Sequence, residues 1–531
     1  MIDFISRNNY KKGDDMSGFK RLLSACGALL IMTSLAGSVH ATESYDPYSY
    51  DRWGDAVSSQ VGYSAEKFVD GKLINGLYDK ISGMSGFDYD DESWKQLLQL
   101  KEPADLFISY DDKMYIVDKG NNRIVVTDLE FNLVNYLDQF NYNGETLKLN
   151  APQGVFVDQY TDYVYICDTE NSRLIKCDYD GNVDMVFEKP KSEIYSQELT
   201  FKPEKVVVDK AGNVYLVVGS ITKGAVMYDK TGEFLGFFGA NRVEATAEIV
   251  MNAFWNTIAT EAQRDRMAKS TAVGFDNFDI DDSGFIYTVT ESSDVQTDTV
   301  KKVNPKGTNI LHTIIDDETV FGDHNPAYWS IYTKQSAIVD IDIGPNGEMN
   351  LLDFAHGRVF QYDKLANLMF VLGGSGNQLG TFLSAVAIES HDDMIYVLDS
   401  RKNGITLFKR TDFGEIVTNA TDLYNKGYYD ESYEPWQRVI KYDGNYRRAY
   451  IGIGNALLGQ EKYKEAMKYF KVAISRKRYN RAFEGYRDQL MQKYLTPVVL
   501  IIVILVVVIK VLGILEKKGI VTFPWTRRRG A

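Results

Sequence analysis

Cysteine is scarce, three in 531 residues, and Cys26 falls inside an apolar N-terminal run that reads as a removable signal. A disulfide-built scaffold is thereby excluded. Cys167 and Cys177 remain, on neighbouring strands of one expected hairpin. Antiparallel register sets them several residues apart on opposite faces, so two buried thiols are expected over a bridge. Histidine is nearly as rare, five in the chain, and His312, His324, His356 and His391 show no metal-ligand spacing. No nucleophile elbow, phosphate loop or zinc-protease helix occurs. The sequence therefore assigns no catalytic residue, metal ligand or cofactor, and it leans towards a non-catalytic protein.

Basic charge is what the middle of the chain lacks. Residues 42–419 carry 33 Lys and Arg against 60 Asp and Glu, a net of −27, whereas residues 420–531 carry 21 against 10. An acidic body is repelled by phosphate backbones, which excludes nucleic acid as a partner. The basic C-terminal part suits an anionic membrane surface. Asp276, Asp279, Asp281 and Asp282 look at first like a calcium loop. They lack the glutamate such a loop needs, and Asp279 to Gly284 reads instead as strand, turn and strand.

Two long apolar runs set the topology. Lys20 and Arg21 precede the run Leu22 to Val39, and Val39-His40-Ala41 fits the small-residue rule for signal cleavage; Met1 and Met16 are both available as starts. The second run, Val498 to Leu515, opens at Pro497 and is interrupted only by Lys510. It is long enough to cross a bilayer and apolar on every face. Lys517, Lys518 and Arg527 to Arg529 follow it, as expected of a cytoplasmic tail. The expected chain is single-pass in the cell membrane, with its body outside and its tail inside.

Between the ends one pattern recurs. KMYIVDKGNNRIVVTD from Lys113 and YVYICDTENSRLIKCD from Tyr163 place Asp118 and Asp168 50 residues apart. Further copies start at Asn213, Gly284, Glu348 and Met394, giving six in all. Each has a preceding apolar strand and a following one, separated by Gly, Asn and Asp turns such as Asp180-Gly181-Asn182. Four short strands per unit make one propeller blade, and six blades must close into a ring to bury their faces. The fold class expected is mainly β, a six-bladed β-propeller.

The strand, Asp, Asn, Arg order of Asp118, Asn121 and Arg123, and of Asp168, Asn171 and Arg173, resembles the NHL-repeat family; Asp353 with His356 and Arg358 matches in part. Blades three, four and six depart from it. The resemblance implies an NHL-type propeller over residues 100–418, and says little about chemistry. The preceding segment, residues 42–99, contains AEKFVDGKLI, a candidate closing strand.

Two interruptions of the period, at about 242–271 and 311–335, fall between blades three and five. The first has helical spacing around Trp255; the second contains His324, Trp329 and Tyr332. Blade-to-blade crossings and the turns bearing Arg123, Arg173, His356 and Arg358 emerge on the same face of a propeller, which makes this rim the candidate binding surface. Each of these residues also has a structural reading: the tryptophans as cores of their own insertions, the arginines as ties between blades. Long insertions on a regular repeat commonly serve binding.

From Ala420 a second period begins. Leu423, Gly427, Tyr429, Ser432, Trp436, Val439 and Ile440 are matched 34 residues later by Leu457, Glu461, Tyr463, Ala466, Phe470, Ala473 and Ile474. This resembles the tetratricopeptide repeat. The domains expected are a signal peptide (1–41), the N-terminal segment (42–99), the propeller (100–418), tetratricopeptide-like helices (419–493), a transmembrane helix (494–515) and a basic cytoplasmic tail (516–531). The combination, with the YDRWGDAV opening, resembles bacterial membrane-anchored NHL proteins associated with ABC-type carbohydrate uptake systems. That resemblance implies an extracytoplasmic scaffold or binding subunit, with the membrane, transporter subunits and a carbohydrate as partners. The alternative is a surface-tethered, metal-dependent lactonase or lyase of the gluconolactonase-like kind; carboxylates and imidazoles clustered in the axial channel would favour it.

Overall fold

The computed structural model describes residues 43–219, 221–240, 274–290, 299–311, 320–323 and 336–521. The expected signal peptide, most of both insertions and the end of the tail lie outside these residues.

Turn chemistry sets the period. At Asp178, Asp209, Asp229 and Asp281 the Oδ1 atom accepts the backbone N–H groups two and four residues on, at 2.8–3.0 Å. Gly181, Gly212, Gly232 and Gly284 then take positive φ, 81–84°, which glycine adopts without steric cost. The Asp281 carboxylate is thereby occupied by a hairpin, as the strand-turn-strand reading requires.

Between these turns the strands form six antiparallel sheets, spanning residues 105–137 (blade one), 154–187 (two), 203–239 (three), 277–303 (four), 338–373 (five) and 385–410 (six). Blade four has three strands among the described residues. The central strands are buried along their length, as in Val164–Asp168, because each sheet packs on a neighbour on both faces. Cys167 and Cys177 are both buried and unbridged, and belong to different core clusters on opposite faces of blade two. Burial pushes both thiols up, Cys177 to about 12.

The fourth strand of blade six comes from the N-terminal segment. Tyr63–Asp70 pairs antiparallel with Gly404–Arg410, from Arg410 opposite Tyr63 to Gly404 opposite Asp70. The innermost strand of each blade touches those of both neighbours, so the ring is closed. Before blade one lie two short helices, α1 (Leu77–Ser82) and α2 (Glu92–Leu97).

After blade six the chain turns helical: α3 (Asp412–Asn425), α4 (Tyr429–Tyr442), α5 (Arg447–Gly459), α6 (Tyr463–Val472) and α7 (Arg476–Lys517). Thr411 caps α3, accepting from Gly414 N at 3.1 Å while donating to Val61 O at 2.6 Å. Glycines let successive helices approach. A Cβ on Gly452 would stand 2.3 Å from Trp436 Nε1, and one on Gly454 2.4 Å from the Phe470 ring. Phe413, Val417, Trp436, Tyr446, Ile453 and Phe470 share one hydrophobic cluster with Leu352, Val359, Phe370 and Phe408 of blades five and six. The helices and the ring therefore have a common core.

Helix α7 is 42 residues long, about 63 Å at 1.5 Å per residue. Its first turns pack against α6 and bury Ala482. Its apolar part reaches a mean hydropathy of 3.5 over 18 residues with none of that window buried, long and apolar enough to cross a membrane.

Candidate functional site

The turns bearing Arg123 and Arg173 are built alike. Asp118 Oδ1 accepts from Lys101 N at 2.7 Å, and its Oδ2 accepts from Asn121 Nδ2 at 2.8 Å and Arg123 Nε at 2.6 Å. Asp168 repeats this with Asn150 N, Asn171 Nδ2 and Arg173 Nε at 2.7, 2.9 and 2.7 Å. Each arginine then donates onward to a carbonyl of the preceding connection, Gln99 O at 2.9 Å or Lys148 O at 3.0 Å. Arg123 is 0% exposed and presents no surface to a ligand; Arg173 is partly exposed. Burial pushes the Asp118 carboxyl up, against the pull of Arg123.

Blade five departs from the pattern at the rim. His356 Nδ1 lies 2.8 Å from Asp353 Oδ2, while Arg358 turns to Asp323 of the second insertion. Asp323 also accepts from the Tyr48 and Tyr50 hydroxyls, and the Arg358 guanidinium lies 5.2 Å from the Tyr48 ring centre. The structure thus brings Arg358 and His356 together at one place on the rim, with Arg123 and Arg173 on other blades. Trp255, His324, Trp329 and Tyr332 lie outside the described residues. Among the described residues, Asp323, Asp353 and His356 form a group whose ligand atoms converge within 4.8 Å. The Arg358 guanidinium bound to Asp323 opposes a cation there, and Asp353 already accepts from the Ala337 and Ala355 amides at 2.9 Å each. These residues do not fit a metal centre.

The axial channel is rich in carboxylates, which no local motif groups together because they come from blades one, four, five and six. Asp105 accepts from Val155 N at 2.9 Å, Asp279 from Ile343 N at 2.7 Å and Asp340 from Ile388 N at 2.7 Å, each reaching the inner strand of the next blade. Asp342 accepts from Ser390 Oγ at 2.5 Å and Asn350 Nδ2 at 2.7 Å. Lys205 pairs with Asp105; burial opposes its charge, but Asp105 and Asp340 hold its pKa above the ordinary value. The acids thus stitch inner strands that make no backbone ladder with one another. His391 lies at the end of its strand, 3.1 Å from Asp112. Burial pushes the carboxyls up, Asp342 to about 6 and Asp340 to about 7, the latter against the pull of Lys205. Glu389 is raised by burial and by Asp342, Asp279, Asp340 and Asp105.

A carboxyl whose folded pKa is raised binds more protons folded than unfolded, so its contribution is greatest at low pH and falls as pH rises through the folded value. The cluster should make the protein less stable as pH climbs from about 4.5 to 7.5. Glu389→Gln removes one like charge and should raise the thermal midpoint at pH 7.5 by a few degrees while flattening this slope. Melting curves at half-unit pH steps check both; an unchanged slope would refute the repulsion.

A third feature lies where the ring meets the helices. A hairpin, Tyr48–Tyr50 paired with Ala56–Ser58, joins a turn of blade five, α4, α5 and the start of α7 around a cavity of about 710 Å³. Arg52, Arg447, Arg448 and Arg478 line it beside Tyr424 and Trp436. Tyr446 Oη donates to Met369 O at 3.2 Å and Arg448 pairs with Asp363, fixing α5 to blade five.

No family model and no curated protein matches the chain. Solved structures similar to it include virginiamycin B lyase from Staphylococcus aureus, at 9% identity and TM-score 0.36 over 59% of this chain and 96% of that one. The Kuenenia stuttgartiensis hydrazine synthase aligns at 9% identity and TM-score 0.38, over 62% and 99%. A streptogramin B lyase aligns at 10% identity and TM-score 0.35, over 59% and 94%. These are distant likenesses. Neither substrate nor chemistry passes from them to this chain.

Proposed function

We propose that this chain is an extracytoplasmic, membrane-anchored binding and scaffold protein, an accessory subunit of a membrane complex of the ABC carbohydrate-uptake type. The observation that carries the reading is the common core of the ring and helices, continued by α7 into an exposed apolar run. Such a joint resists hinge motion, so the propeller would be held at a set distance from the bilayer. An NHL-type ring and tetratricopeptide-like helices both suit protein contact, and the resemblance in the Asp-Asn-Arg turns and the 34-residue period supports those names.

A chain ending at residue 493 should move from the membrane pellet to the soluble fraction after carbonate extraction, since the span leaves with residues 494–515. Full-length protein purified from its own membranes in mild detergent should retain permease subunits of a sugar transporter. Recovery without any transporter subunit would sink the partnership, and pelleting of the shortened chain would sink the anchor.

A further inference from the structure

The apolar part of α7 has two breaks in an otherwise uniform surface. Of the 18 residues from Val498 to Leu515, 16 are Val, Ile or Leu, and the other two are Lys510 and Gly513. Standing three residues apart on a continuous helix, they share one face, together with Val503, Val506 and Lys517. The rest of the run is apolar all round and favours no direction.

Lys510 has no partner on its own helix. The positions three or four residues away hold Val506, Val507, Gly513 and Ile514, and the nearest acidic residue, Glu516, is six residues on and off this face. Among the described residues the exposed Lys510 side chain makes no hydrogen bond or ion pair. The nearer edge of the run offers it a poor exit. Lys510 lies about 9 Å inside Glu516 at 1.5 Å per residue. The Cα–Cβ bonds of a helix lean towards its N-terminus, so this side chain sets out towards the middle of the span and away from Glu516. A lysine in hydrocarbon is costly unless a carboxylate meets it, and charged residues of spanning helices accordingly face other protein.

Among the described residues α7 is the one helix long and apolar enough to cross a membrane, so the carboxylate has to come from another molecule. A second copy is the wrong source, because pairing two such helices on this face brings two lysines together at the same depth. Gly513 gives a different helix its access. One turn from Lys510 it contributes no side chain, and a Cβ there would meet nothing within 4 Å, which leaves a notch where a second backbone can come close. We propose that the Lys510–Gly513 face of α7 docks a spanning helix of a partner membrane protein that carries an aspartate or glutamate at the depth of Lys510. This rests on the reading of the chain as a subunit of a membrane complex, and adds where in the bilayer the subunits join and by what chemistry.

The test places photoreactive p-benzoylphenylalanine in full-length protein, in its own membranes, at Val506 on the docking face or at Val508 on the opposite one, and maps the adducts by mass spectrometry. An adduct from position 506 to a spanning segment containing Asp or Glu is expected, with the yield from position 508 at least tenfold lower. Lys510→Leu should reduce the adduct tenfold or more and Lys510→Arg should retain it, while both variants still pellet with the membrane after carbonate extraction. An adduct undiminished by Lys510→Leu, equal adducts from the two positions, or adducts formed only with lipid or with a second copy overturn the docking face. An acid-bearing partner that is not a sugar permease upholds this face and sinks the transporter partnership; permease recovery that Lys510→Leu leaves intact does the reverse.

Discussion

Deleting residues 45–70 should prevent the propeller from folding, leaving the expressed protein aggregated. The segment supplies the outer strand of blade six and two buried tyrosines, Tyr45 and Tyr63, of the core shared with the helices. Without it Gly404–Arg410 becomes a bare sheet edge, whereas blades one, two, three and five bring their own outer strands, and exposed edges template aggregation. The loss of a strand and its buried side chains exceeds about 5 kcal/mol, comparable with the whole stability of a domain. A point substitution tests the same joint. A Cβ on Gly404 would meet Val69 O at 2.4 Å and the Phe68 ring at 2.6 Å, so Gly404→Val should push the two strands apart. Limited proteolysis and size-exclusion chromatography read the result; a monodisperse, protease-resistant Gly404→Val protein would show that the ring closes by other means.

Asp118→Ala should cost about 3–5 kcal/mol, because it leaves the fully buried Arg123 guanidinium without its counter-ion and the Lys101 amide without its acceptor. Asp168→Ala removes the matching bonds in blade two but should cost less, since the Arg173 side chain is 18% exposed and water can replace the carboxylate. Replacing the buried pair together, Asp118→Leu with Arg123→Met, should recover most of the loss, as hydrophobic isosteres of buried ion pairs commonly do. Denaturant midpoints of the three variants give the order. Equal losses at Asp118 and Asp168 would refute burial as the deciding factor.

The two turns differ in a way invisible to the repeat pattern. KGNNR and TENSR have the same spacing, yet the first is sealed beneath Tyr136, whose ring centre lies 5.2 Å from the Arg123 guanidinium, and the second is partly open. Spacing shows that Asp, Asn and Arg act together, because their bonds span only three to five residues. It does not show what the far end of each arginine reaches. Gln99 and Lys148 lie 24 and 25 residues away, and Asp323 lies 35 from Arg358. The channel acids stayed illegible for the same reason: Asp105 and Lys205 are 100 residues apart and meet only when the ring closes.

What the sequence determined by itself was local. Six copies of an antiparallel blade unit, turns in which one aspartate binds amides two and four residues on, a helical period and an apolar run long enough to span a bilayer all depend on near neighbours along the chain. The scarcity of cysteine and histidine likewise narrowed the chemistry before any fold was known. The sequence offered AEKFVDGKLI as a candidate closing strand, and the tertiary structure set its place and register, Tyr63–Asp70 on blade six; the tertiary structure alone decided that Arg123 is sealed while Arg358 faces Asp323, and that arginines from the hairpin, α5 and α7 share a cavity. Each of these joins residues far apart in sequence, and such contacts follow from closure of the ring and its core with the helices, which no local pattern encodes.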